Sequence, residues 1–199
     1  MNDAILNNYQ RWTERAIADV DVINELKDIA ENEGKIEDAF YKDLAFGTGG
    51  LRGVIGAGTN RLNVYTVAKA SQGLADYVIK NFAPEKRKIA VSFDSRIKSD
   101  VFAKVAAGVF AANGIKVAIY SELMPTPCLS FAVRYLGCAA GVMVTASHNP
   151  AKYNGYKAYG PDGCQMTDDA AAIVYDEIQK TDVLTGAKYM SFAEGVEEG

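Results

Sequence analysis

The run from Cys138 to Val144 is apolar or glycine throughout, and at Thr145 it stops abruptly. An apolar run of that length, rich in β-branched residues toward its end and followed by a turn signal, reads as a buried strand. Behind it stand a hydroxyl, an imidazole and an amide in succession, Ser147-His148-Asn149, and then Pro150. Proline lacks the N–H that a sheet needs and restricts the residue before it. Ser147 and His148 are therefore expected on a loop at the carboxyl end of a buried strand, where open α/β sheets hold their reactive groups.

The rest of the chain alternates in the way such a strand requires. Strands are expected at Lys88–Phe93, Ile115–Tyr120 and Ala139–Val144, with helices at Thr66–Phe82, Asp100–Asn113 and Leu129–Leu136. That order implies βαβ units and a largely parallel sheet covered by helices on both faces. Gly155–Tyr159 follows the Ser-His loop too closely for a parallel crossover, so it is expected to run antiparallel. The reading is a three-layer α/β/α sandwich with a mixed, mostly parallel sheet. A helix is expected through Lys180, capped by Thr167-Asp168-Asp169, and a short strand at Leu62–Tyr65.

Ahead of this unit, Leu6, Tyr9, Trp12, Ala16, Val20, Ile23, Leu26 and Ile29 make one helical apolar face that ends at Asn32–Gly34. Asp19 and Asp21 fall on it as a solvated pair rather than a metal motif. The expected organisation is a helical extension over residues 1–34, a domain over 40–183, and a tail or linker over 184–199 without pattern of its own.

With 49% hydrophobic and 23% charged residues the chain can supply a core. A net charge of −4 gives no sign of broad attraction to nucleic acid or to an anionic membrane, while a small anionic ligand needs only a local cluster of donors. No apolar stretch approaches the ~20 residues that span a bilayer. Three cysteines, Cys128, Cys138 and Cys164, form no C-x-x-C pair, which suits a reducing compartment and small buried hydrophobes. The N-terminus lacks the basic and apolar regions of a signal peptide, and a cytoplasmic location is expected.

Three stretches can carry chemistry. Ser147-His148 holds the chain's only histidine. A serine hydroxyl is a weak nucleophile and needs a base or an attached leaving group. No G-x-S-x-G elbow surrounds Ser147, which argues against a hydrolase; a plain turn is the alternative. Gly47-Thr48-Gly49-Gly50-Leu51-Arg52-Gly53 can bring backbone N–H groups and one guanidinium to an anion. It is neither a Walker A loop nor a dinucleotide fingerprint, and a tight turn into the sheet is the plainer alternative. In Asn154-Gly155-Tyr156-Lys157, a tight turn at Asn154-Gly155 would fold Lys157 back toward Ser147.

Taken together, Thr145-Ala146-Ser147-His148-Asn149-Pro150, Asn154-Gly155-Tyr156-Lys157 and Phe46-Gly47-Thr48-Gly49-Gly50-Leu51-Arg52-Gly53 resemble the α-D-phosphohexomutases, the phosphoglucomutases and phosphomannomutases, and most of all their long, phosphopentomutase-like branch. The resemblance covers the first of that family's four domains. It implies that Ser147 is a phosphoserine exchanging its phosphoryl group with a sugar phosphate, assisted by His148 and Lys157. It implies phosphate contacts from Arg52, Thr48, Gly49, Gly50 and Arg96, the last within Asp94-Ser95-Arg96. It implies Mg²⁺ bound through the phosphate on Ser147, a sugar bisphosphate as activator, and a hexose or pentose phosphate as substrate. No Asp-Gly-Asp-x-Asp-Arg loop for that metal occurs here. The chain is therefore expected to be one domain of a larger mutase, inactive without the remaining domains. The alternative is a stand-alone module that binds an anion or sugar phosphate without turnover.

Overall fold

The structure, a computed structural model, describes residues 2–47 and 49–197, with only the backbone of residue 168. Among them the elements run α1 Asp3–Arg15, α2 Val20–Asp28, α3 Glu33–Phe40, β1 Phe46–Gly47, β2 Gly50–Val54, α4 Val64–Asn81, β3 Lys88–Phe93, α5 Ser99–Ala112, β4 Lys116–Ile119, α6 Thr126–Tyr135, β5 Ala140–Val144, β6 Tyr153–Tyr159, α7 Asp168–Lys180 and α8 Phe192–Glu197.

One sheet of the described residues has the order β1-β2-β6-β5-β3-β4. The β4-β3-β5 half is parallel. β6 returns antiparallel beside β5, and β2 and β1 continue antiparallel from it. Side chains on β3 and β5 alternate between two cores. Ile89, Val91, Val142 and Val144 enter the larger one with α4, α5 and α7. Ala90 and Met143 face Leu129, Ala132 and Val133 of α6. That alternation makes the three layers, with β5 buried at every position. On the α6 side the helix packs on β3 and β5.

The N-terminal segment differs from the single helix expected. Helix α1 ends with Ala16 as its C-cap, Asp19 adopts an extended backbone, and its carboxylate caps α2 by accepting from Asp21 N at 2.9 Å. The break rotates the apolar face, so Val22 is 2% exposed and Val20 69%. Asn32–Gly34, read as a stop, instead starts α3, since the Asn32 side chain accepts from Lys35 N. Short polar side chains end one helix and begin the next by the same hydrogen bond, and only the packed neighbours decide which. Trp12, Phe40 and Tyr65 meet edge to face and tie these helices to α4.

Three smaller expectations also change. Leu62 forms only an isolated bridge with Ile55, because Asn63 caps α4 in a capping box with Thr66. The tail folds into α8, which packs on α5. Cys138 is buried, but Cys128 is only partly so and Cys164 is exposed, on the turn after β6. No helix among the described residues is long and apolar enough to cross a membrane.

Candidate functional site

β5 delivers its chain to the carboxyl edge of the parallel strands, and the residues beyond it turn sharply. Ser147 has φ 55°, in the left-handed region that non-glycine residues rarely occupy. Such a backbone persists where its surroundings over-determine it, and here they do. Ser147 N donates to Thr145 Oγ1 at 2.9 Å. Thr145 Oγ1 donates in turn to Asp94 Oδ2 at 2.6 Å, at the end of the neighbouring strand β3. Ser99 Oγ donates to Asp94 Oδ1 at 2.9 Å and accepts from Asn154 Nδ2 at 2.9 Å. Ser147 and His148 are themselves exposed, with Ser147 Oγ 3.3 Å from His148 Nδ1.

Arg96 lies beneath this loop. Its Nη2 donates to the carbonyls of Ser147 at 2.5 Å and Asn149 at 2.7 Å. Its Nη1 donates to those of Tyr153 at 3.1 Å and Pro150 at 3.3 Å. The planar fork thus holds the carbonyls of the loop rather than facing open space.

Arg52 and Lys157 stand on the adjoining face. The register pairs Arg52 with Gly155, and Lys157 with both Gly50 and Met143. Directly paired residues, and residues two apart on one strand, share a face. Arg52 and Lys157 are therefore diagonal neighbours on the α6 side of the sheet. They border a cavity of about 690 Å³ together with Gly50, Gln165, Met166 and Thr167. Arg52 also reaches the serine loop, its Nη1 donating to Asn149 Oδ1 at 3.2 Å.

The close β2-β6-β5 packing depends on two glycines. A Cβ on Gly50 would sit 2.3 Å from Tyr156 O, and one on Gly155 would sit 2.6 Å from Thr145 O and 2.9 Å from Leu51 O. Asn154 and Gly155 are within β6 and form no tight turn. Residues 146–152 make the reversal instead, because Asn154 is committed to Ile97 O and Ser99 Oγ across the site. Gly49 has φ 68°, and a Cβ there would sit 2.9 Å from Met166 O. Thr48 lies outside the described residues.

Sequence reading missed the border formed by Gln165, Met166 and Thr167. These residues follow the Pro161–Gly163 turn, where Gly163 N donates back to Gly160 O. Only the return of the chain past the end of β6 brings them beside Arg52, and no motif records that return. Asp94, named in the sequence only as part of Asp94-Ser95-Arg96 and given no role, is the hub between Thr145, Ser99 and the Arg96 backbone. Its place at the end of a parallel strand beside β5 was the available signal. Among the described residues no three His, Cys, Asp or Glu side chains gather as a metal site.

Residues 43–184 match the family described as phosphoglucomutase/phosphomannomutase, alpha/beta/alpha domain I. The chain belongs to that family. It is 45% identical over 138 residues to a probable phosphoribomutase of Schizosaccharomyces pombe, covering 69% of this chain and 24% of that protein. It is 42% identical over 165 residues to a phosphoglucomutase of Staphylococcus epidermidis, covering 81% of this chain and 30% of that one. A Thermus thermophilus structure assigned as a phosphomannomutase superposes with a TM-score of 0.65 at 31% identity, over 79% of this chain and 35% of its own. The chain thus spans less than a third of the length of the phosphoribomutase and the phosphoglucomutase. The mixed sheet and its helical layers are those of a phosphoglucomutase/phosphomannomutase domain I.

Proposed function

We propose that this domain carries Ser147 as the phosphoryl donor and acceptor of a sugar-phosphate mutase, acting on a hexose or pentose phosphate. The observation that carries the reading is the shared surface. An exposed serine sits on an over-determined left-handed turn, and Asn149 of the same loop accepts from Arg52, one of the two cations that border the cavity. A phosphoserine bears about −1.5 to −2 charge at pH 7. Arg52, Lys157 and the glycine hairpin offer charge and N–H donors to balance it.

In the transfer step, a sugar hydroxyl oxygen forms a bond to phosphorus as the bond from phosphorus to Ser147 Oγ breaks. The hydroxyl proton leaves to a base, the role proposed for Lys157 or water. His148 Nδ1, 3.3 Å from Ser147 Oγ, can return a proton to the serine oxygen. Reversal from the resulting bisphosphate regenerates the phosphoserine and yields the isomeric monophosphate. Positioning and electrostatic stabilisation carry most of the catalysis in such transfers. Arg96, its donors taken by carbonyls, is proposed to shape the loop rather than to hold the substrate phosphate.

A Mg²⁺ ion would neutralise phosphoryl charge, but it takes about six oxygen ligands. The described residues supply no carboxylate cluster for it, so this chain alone does not fit the ion beyond one phosphoryl oxygen on Ser147. In the full-length protein, Ser147→Ala should abolish isomerisation of glucose 1-phosphate and ribose 1-phosphate. It should also abolish incorporation of label from ³²P-labelled sugar bisphosphate. Retained isomerisation would refute the assignment. In the unsubstituted protein, incorporation of label without turnover would favour a phosphate-carrying module.

A further inference from the structure

Among the described residues only two other than glycine have a left-handed backbone, Ser147 at φ 55° and Lys98 at φ 60°. They belong to one assembly. Lys98 closes the turn that begins at Asp94, and Arg96 between them donates to the carbonyl of Ser147. The carbonyl of Ile97 and the hydroxyl of Ser99, on either side of Lys98, both accept from Asn154 Nδ2. Lys98 precedes α5 without a side-chain cap. Its backbone is therefore not held by the usual device.

Within the turn, Ser99 N donates to Arg96 O at 3.0 Å and Asp94 and Asn154 bind the flanking residues, while the Lys98 side chain is held from the N-terminal helices. Lys98 Nζ sits 3.0 Å from Asp19 Oδ2 and 2.7 Å from Asp21 Oδ2, at the start of α2. Lys98 and Asp19 are 20% and 12% exposed, so this pair is shielded from much of the solvent screening that weakens surface pairs. Asp19 and Asp21, expected as a solvated face, thus converge on one ammonium. Helix α2 grips the other half of the site too, since Glu25 Oε2 accepts from Ala57 N, just past β2 and Arg52. Ala18 N, in the connection before α2, donates to Tyr65 Oη at 2.7 Å.

We propose that Lys98 is a positioning residue. Bound to Asp19 and Asp21, it fixes the 94–99 turn in the geometry from which Asp94 and Arg96 set the conformation of the Ser147 loop. The N-terminal helices are in this view part of the catalytic apparatus and not an appendage. The inference rests on Ser147 being the phosphoryl carrier for its kinetic consequence, though not for its structural one.

Lys98→Asn tests it, because asparagine tolerates the left-handed backbone and removes the ammonium. In the full-length protein, kcat should fall about tenfold or more, the scale that misplacement of reacting groups costs. The KM should stay within about twofold. Amide hydrogen exchange over residues 145–153 should accelerate, and Lys98→Arg should restore most of both. A merely structural anchor would speed exchange in residues 15–28 and leave 145–153 and kcat unchanged, which overturns the proposal. If Lys98→Asn does not fold, Asp21→Asn removes the exposed partner alone and should move the same two readouts in the same direction; no movement there also overturns it. If Ser147→Ala keeps full activity, the mutase reading fails instead, and the exchange result still decides the positioning role.

Discussion

Arg96→Lys separates two roles for the same guanidinium. Arg96 donates to the backbone carbonyls of Ser147, Asn149, Pro150 and Tyr153. A lysine keeps the charge but brings its donors on one nitrogen, which cannot span the fork. Two of these bonds are short, 2.5 and 2.7 Å. Hydrogen bonds involving a charged group contribute about 1.5–3 kcal/mol each. Ser147 is exposed and Asn149 only partly buried, so water recovers part of each lost bond. A net loss of about 1 kcal/mol for each of two bonds raises the competent loop by about 2 kcal/mol. At about 1.4 kcal/mol per tenfold, kcat should fall about 30-fold. KM should hold, because no substrate contact is removed. Steady-state kinetics on the full-length protein read both constants. A kcat within about threefold of wild type together with a KM raised about tenfold would mean that Arg96 holds a substrate phosphate, and the loop-staple reasoning would be wrong.

Two further outcomes follow from packing and charge. Gly155→Ala drives a Cβ toward backbone oxygens on both neighbouring strands, Thr145 O at 2.6 Å and Leu51 O at 2.9 Å. Neither can swing aside as a side chain could, so urea denaturation should show a loss of about 2–3 kcal/mol, and an unchanged midpoint would contradict the register. Asp182 joins the end of α7 to α1 through Arg11, whose Nη2 is 2.7 Å from Asp182 Oδ1. Burial opposes its ionisation, but Arg11, the Thr185 hydroxyl and the amides of Leu184 and Thr185 outweigh it and hold the carboxyl at about 2 against an ordinary 3.8. A lowered folded-state pKa stabilises the fold above the unfolded value, and the stabilisation is lost as pH falls through the folded one. The pair is about two-fifths exposed, so screening limits the effect to about 1 kcal/mol. The urea midpoint gap between wild type and Asp182→Asn should therefore close between pH 4 and pH 2, and a gap that persists below pH 2 would exclude the electrostatic cause.

Much of the sheet was legible because strand and helix periodicities are local. Lys88–Phe93 reads the same in sequence and structure, and the antiparallel course of β6 follows from the shortness of its connection to β5. Helix ends were less legible. Asn32 and Asp19 carry capping side chains that mark a boundary without saying which helix they serve. The residue types of the site were visible as motifs, but their grouping was not. Arg52 and Lys157 became neighbours through strand register, and the turn expected at Asn154-Gly155 to carry Lys157 toward Ser147 is part of β6 instead.

The sequence by itself determined the layered α/β class, the Ser147-His148 loop at the carboxyl end of a buried strand, and the family. Those properties depend on residues close together in the chain, where burial period and turn chemistry act directly. Only the tertiary structure decided that Arg96 serves loop carbonyls, that Asp94 links β3 to the serine turn, and that Asp19 and Asp21 close on Lys98. A charged side chain has one partner in solution, which is water, and acquires another only when strands and helices distant in sequence bring a carbonyl or carboxylate within about 3 Å of it.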